Sequence, residues 1–135
     1  MPMSNEIQWP AIAQARFHHS VGEAVELLKQ SPRPVEDMPL IGWKEDADGP
    51  KRFVVGPGVI PAYYRFDHIA NVPDIILPVI LAEVNGKTFV LDGAHRLAKW
   101  ILHKRPTIPV LRLTAAESKA CIRPGMEARV AALQF

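Results

Sequence analysis

Asp92-Gly93-Ala94-His95-Arg96 is where residue types and spacing suit chemistry on an anion. The stretch follows the apolar Val90-Leu91 and leads into a helical pattern, so a strand ends, a glycine turns the chain and a helix begins. The first N–H groups of a helix have no internal partner, and the helix dipole adds partial positive charge there, which suits phosphate oxygens. Gly93 has no Cβ, so a ligand or a loop can approach the backbone closely. The backbone from Gly93 through Ala94 to His95 then supplies donors, and Arg96 can bind two oxygens at once. His95 can give or take a proton, and Lys99, three residues after Arg96, extends the charge along the same side. Asp92 has two chemical roles open to it, as a Mg²⁺ ligand beside the phosphates or as a general base. The plain alternative is that Asp92 caps the helix, Gly93 serves the turn, and His95, Arg96 and Lys99 are solvated.

Other reactive residues are scattered. Arg65 and His68, with Asp67 between them, are candidates to line the same pocket from an upstream segment. Tyr63 and Tyr64 can stack on a base, or simply pack. His18-His19 would bind a metal only with a third ligand from elsewhere, and the chain has no His-Glu-x-x-His or Cys-x-x-Cys, so no metal site is assigned. Cys121, the one cysteine, excludes an internal disulfide and is expected to be inert. Trp100 lies off the main apolar face of its helix, which suits groove cover or a contact in a homodimer; oligomeric state stays open.

The elements that must position the Asp92–Arg96 stretch are legible on both sides of it. Ile75 to Val84 is a β-rich run, Asn85-Gly86 is a strong type I′ hairpin signal, and Lys87 to Leu91 returns as the second strand. From Ala94 to about Lys104, Ala94, Leu97, Ala98, Ile101 and Leu102 follow the spacing of a buried helical face. Ile108 to Leu113 is a further strand, and Thr114-Ala115-Ala116-Glu117 is a capping box that opens a helix. Arg123-Pro124-Gly125 breaks it, and Met126 to Leu133 is a last helix. Upstream, Ser20-Val21-Gly22-Glu23 is another capping box, with Val21, Ala24, Val25 and Leu28 on one helical face ending near Ser31. Between them, eight of the 13 prolines lie from Pro32 to Pro78 and call for short extended pieces and turns. Met38 to Trp43 and Arg52 to Val55 are expected strands, Lys44 to Lys51 a loop, and Tyr64 to Asn71 a short helix. Mixed strands and helices with one antiparallel connection make an α+β domain.

With 135 residues and 48% hydrophobic composition, the chain can bury one core and is expected to form a single domain over 1–135, residues 1–37 being a helical extension and 38–135 the core. The longest apolar run, Ile75 to Ala82, is too short to span a bilayer, and no secretory pattern opens the chain. No membrane association and a cytoplasmic setting are therefore expected. Charge is uneven: residues 1–85 carry 7 Lys+Arg and 11 Asp+Glu, a net of −4, whereas 86–135 carry 9 and 3, a net of +6. The basic part fits an anionic partner, unless the acidic part answers it internally.

The stretch from Ile75 to Leu113 resembles the ParB/sulfiredoxin fold. The likeness is carried by IILPVILAEV, then Asn-Gly-Lys, then FVLDGAHRLAKW, then TIPVLRL, about 40 residues in all. Pro61 to Asp67 is faintly similar to another box of that superfamily, with Arg65 as its arginine. The resemblance implies a small mixed sheet with flanking helices and a nucleotide held at the strand–turn–helix: ATP in sulfiredoxins, CTP in ParB proteins, ADP in a free serine kinase. It implies that Gly93, His95 and Arg96 contact phosphates. Sulfiredoxins have their reactive cysteine where this chain has Ala94, so sulfinic acid reduction is excluded. ParB proteins usually carry Gly-Glu-Arg-Arg here and a DNA-reading domain afterwards, for which the roughly 20 residues after Thr114 are too few.

Three functions follow as expectations. The first is a stand-alone domain that binds ATP, ADP or CTP, with or without Mg²⁺, and transfers or hydrolyses a phosphoryl group, with His95 and Asp92 as its catalytic pair. The second is a nucleic-acid-binding or nuclease module. The third is a non-catalytic regulatory partner.

Overall fold

The computed structural model describes residues 9–45, 51–55, 62–63, 77–93, 96 and 105–134. Two helices come first, α1 (Trp9–Phe17) and α2 (Val21–Gln30). They are followed by β1 (Glu36–Glu45), β2 (Lys51–Val55), β3 (Ala62–Tyr63), β4 (Val79–Val84), β5 (Lys87–Asp92) and β6 (Thr107–Arg112). The described part ends with α3 (Ala115–Ala120) and α4 (Glu127–Ala131). The strands lie in the order β3-β2-β1-β6-β4-β5, a small mixed sheet with flanking helices, and the class is α+β. β4 pairs antiparallel with β5 and parallel with β6, while β1 pairs antiparallel with β6 and with β2.

The hairpin forms as its turn residues dictate. Asn85 at φ 52° and Gly86 at φ 75° supply the two positive values that a type I′ turn requires. β4 lies between β6 and β5, and Val79 to Ala82 are all buried. A strand covered on both faces reads as a continuous apolar run, which is how Val-Ile-Leu-Ala reads. β6 alternates instead, with Ile108 and Val110 inward.

The hairpin core, with Ile80, Ala82, Phe89 and Leu91, continues into Ile12 and Ala15 of α1, Ala24 of α2, Cys121 after α3 and Val130 of α4. Helix α1 carries no sequence signal as clear as the capping box of α2. What places it is tertiary: Ile12 and Ala15 close over the hairpin. The inward face of α2 is Ala24 with Val25, Leu27 and Leu28, whereas Val21 is exposed.

The two capping boxes differ. At α3 both bonds form, Glu117 N–H to Thr114 Oγ1 at 3.0 Å and Thr114 N–H to Glu117 Oε1 at 2.9 Å. At α2, Ser20 Oγ accepts from Glu23 N–H at 3.2 Å, but the Ser20 N–H donates to Cys121 O at 2.9 Å. The expected return bond from Glu23 is replaced by a tie between the two ends of the chain. Arg123 N–H to His18 O at 2.7 Å and a bridge between His19 and Ile122 complete that tie.

Strand bounds shift modestly from the expected ones. β1 runs through Lys44 and Glu45, which were expected in a loop, because both pair with β2, opposite Arg52 and Lys51. β4 starts at Val79, after Pro78. α4 is shorter than Met126 to Leu133. The expected helices over 64–71 and 94–104 lie outside the described residues, apart from Arg96, which is helical.

Candidate functional site

β5 delivers Asp92 at the end of a buried strand, and Gly93 then turns the chain at φ +103°. A side chain at that φ is strained, so glycine is required by the backbone itself. Space requires it too. A Cβ on Gly93 would stand 2.9 Å from Val79 Cγ2 and 3.2 and 3.4 Å from Arg96 Nη2 and Nε. The Arg96 guanidinium therefore lies across Gly93, in the space that a side chain would fill.

Arg96 Nη2 donates to Asp92 Oδ2 at 2.8 Å, an i, i+4 ion pair. The Arg96 side chain is only 16% exposed, while that of Asp92 is 39% exposed. A guanidinium has five N–H donors, so a bond to Asp92 does not exhaust it. The turn thus brings together Asp92, Gly93 and Arg96 of the expected site. Ala94, His95, Lys99, Arg65 and His68 lie outside the described residues. Among the described residues no group of three or more His, Cys, Asp or Glu side chains is gathered as a metal would need. Asp92 Oδ2 is engaged by Arg96, which makes Asp92 a positioning group for the arginine in this arrangement.

The other singled-out residues have structural surroundings. His19 is buried, its Nδ1–H donates to Ala15 O at 2.5 Å, and its ring meets Phe89 edge-on at 6.0 Å between centroids. Burial pushes its pKa below the ordinary 6.5. His18 Nδ1 and His19 Nε2 are buried and have no hydrogen-bond partner among the described residues. Both histidines belong to the tie between chain ends and lie on elements other than the β5 turn.

Cys121 is fully buried, its Sγ donates to Ser118 O at 3.2 Å, and burial raises its pKa to about 11. A thiol so placed holds little thiolate at neutral pH. A thiol reagent should label the native protein only as fast as it opens, and label it at once in denaturant. Fast labelling of the native protein would contradict the burial. Cys121→Ser should leave any activity of the protein intact.

A cluster that residue spacing did not announce joins residues 79 and 84 apart. Arg33 grips Glu117 through its two terminal guanidinium nitrogens at 2.5 Å and also donates from Nη1 to Arg112 O at 2.8 Å. Its Nε and Nη2 donate to Ser31 O, the cap of α2. One arginine thereby holds the end of α2 against the end of β6 and the first turn of α3. Only Glu117 had a local signal, its capping box.

No protein-family model, no curated protein and no solved structure matches the chain.

Proposed function

We propose that this chain is a nucleotide-binding domain of the ParB/sulfiredoxin type, holding the phosphates of ATP, ADP or CTP at the turn after β5. The observation that carries the reading is the Arg96 guanidinium laid across the positive-φ Gly93 and held by Asp92. An arginine held in place spends less side-chain entropy on binding an anion, and phosphate is the ligand its planar fork matches. The helix expected over 94–104 would supply further donors through its first N–H groups.

In this reading Arg96 binds a phosphate, Asp92 orients Arg96, and His95, one residue earlier, moves a proton if the bound phosphoryl group is transferred or hydrolysed. Catalysis would be mostly positioning and charge stabilisation. Mg²⁺ enters only as the counter-ion that a nucleotide brings with it. The basic net charge of residues 86–135 agrees with an anionic ligand.

Calorimetric titration with ATP, ADP and CTP tests this. Arg96→Ala should weaken binding by roughly 10–100-fold, the loss of a charge-assisted hydrogen bond. His95→Ala should reduce turnover more than affinity. Equal binding by wild type and Arg96→Ala would remove the phosphate role. Binding of DNA in place of nucleotide, falling steeply with salt, would favour the nucleic-acid reading.

A further inference from the structure

The tie between the chain ends encloses an ionisable ring. Arg123 N–H donates to His18 O, Ser20 N–H donates to Cys121 O, and His19 forms a bridge with Ile122. The His19 ring lies inside this tie and is only 1% exposed. Its Nδ1 meets Ala15 O, in the last turn of α1, at 2.5 Å. A carbonyl oxygen only accepts, so Nδ1 carries the proton. The neutral ring therefore keeps its lone pair on Nε2, which is buried and has no hydrogen-bond partner among the described residues. Phe89 of β5 stands edge-on to the ring. A second proton would have to sit on Nε2 and bring a full charge into the core.

Little around the ring offsets that charge. Ala15 O and Ser118 O favour a proton, but burial outweighs both, and the neighbouring His18 opposes it as well. The other titratable groups on the surrounding elements leave the ring unpaired among the described residues. Arg16 of α1, Lys119 of α3 and Arg123 are exposed cations, and Glu23 of α2 is exposed. Glu117 of α3 is held by Arg33, Cys121 is a buried thiol, and Lys87 and Asp92 stand at the two ends of β5. Acid has one relief open to it, which is for the ring to leave the tie.

The elements on either side of His19 are held unequally. The far end of α2 is clamped by Arg33, which binds Ser31 O, Arg112 O and Glu117 at once. Among the described residues α1 has no such clamp. It enters the core through Ile12 and Ala15, and its last turn is bonded to the His19 ring itself. We propose that His19 is an acid-sensitive latch: when its ring is protonated it leaves the tie, and α1 comes away from the β4–β5 hairpin while α2 and the sheet stay folded. The hairpin face of Ile80, Ala82, Phe89 and Leu91 then loses the cover of Ile12 and Ala15.

Amide hydrogen exchange of the whole chain, read by NMR from about pH 7.5 to about pH 5, tests this. The window lies above 4.5, the ordinary value of the Glu117 carboxyl. The open form takes up a proton at the ordinary 6.5, whereas the closed form takes it up only at a lower pH. Protection of the Ala13 to Phe17 amides should therefore fall about tenfold for each pH unit below 6.5. It should also stay at least about tenfold below that of the hairpin amides and of Leu27 and Leu28, since opening of α1 precedes global unfolding. His19→Gln, which keeps a donor for Ala15 O but does not titrate, should abolish the fall. His18→Gln should retain it. Equal protection of α1 and hairpin amides at about pH 5.5 would overturn the latch, because only global unfolding would then be present. So would flat α1 protection below pH 6.5, a fall that survives His19→Gln, or one that vanishes in His18→Gln. If His19→Gln does not fold, the wild-type and His18→Gln profiles still decide.

Discussion

Gly93→Val should lower the Tm by roughly 10–20 °C. Two costs add. The backbone at φ +103° strains any side chain, and a β-branched one most. The new Cβ would also stand 2.9 Å from Val79 Cγ2, and Val79 is fully buried in β4, between β6 and β5. Overpacking of this kind costs about 1–3 kcal/mol before the strain is added. The two costs separate in a double-mutant cycle. Gly93→Ala should be less damaging by about 1 kcal/mol in a Val79→Ala background, because the Val79 clash is gone while the strain and the close approach of Arg96 remain. Thermal melts of the four proteins decide it. An unchanged Tm for Gly93→Val would mean that the turn after β5 is not built as described, and the proposed phosphate site would fall with it.

Arg33→Ala is the second large effect, about 2–3 kcal/mol of stability, read by urea unfolding at pH 7. Arg33 and Glu117 side chains are only 21% and 19% exposed, so their bidentate pair is worth more than a solvated ion pair. The substitution also strips a donor from Arg112 O and from Ser31 O. Acid reads the same contact. Arg33's hydrogen bonds pull the Glu117 carboxyl from 4.5 to about 2. A depressed carboxyl contributes its full stability above pH 4.5 and loses it as pH falls toward 2. Wild type should lose stability steeply over that window, and Arg33→Ala should lose much less. His19 acts at higher pH. Burial keeps it neutral below its ordinary 6.5, so the unfolded chain binds the extra proton and stability begins to fall as pH drops through 6.5. His19→Gln should flatten that upper part of the profile and leave the lower part to Glu117. Parallel profiles for wild type and Arg33→Ala below pH 4.5 would show that the pair carries no such weight.

Local chemistry determined a good deal by itself. Asn85-Gly86 specified the hairpin, because only residues at ease with positive φ can make that turn. Thr114 and Glu117 specified the start of α3, and Ser20 the start of α2, since caps act over three residues. The β-rich run Ile75 to Val84 announced a strand, found from Val79 on, and the step from Leu91 through Gly93 announced the candidate site. What only the tertiary structure decided is every pairing between distant segments. Arg33 meets Glu117 across 84 residues, and nothing about Arg33's neighbours in sequence marks it. The Ser20 N–H turns to Cys121 O in place of Glu23 because the chain ends meet there. α1 is held by a core supplied by β4 and β5, beyond anything its own nine residues advertise. At the site itself, sequence placed Asp92, Gly93 and Arg96 within five residues, but their arrangement needed Val79 and Arg96 to close around the space that a Gly93 side chain would fill. Spacing along a chain sets what neighbours can do. Which side chains share a space is set by packing, which short-range rules do not reach.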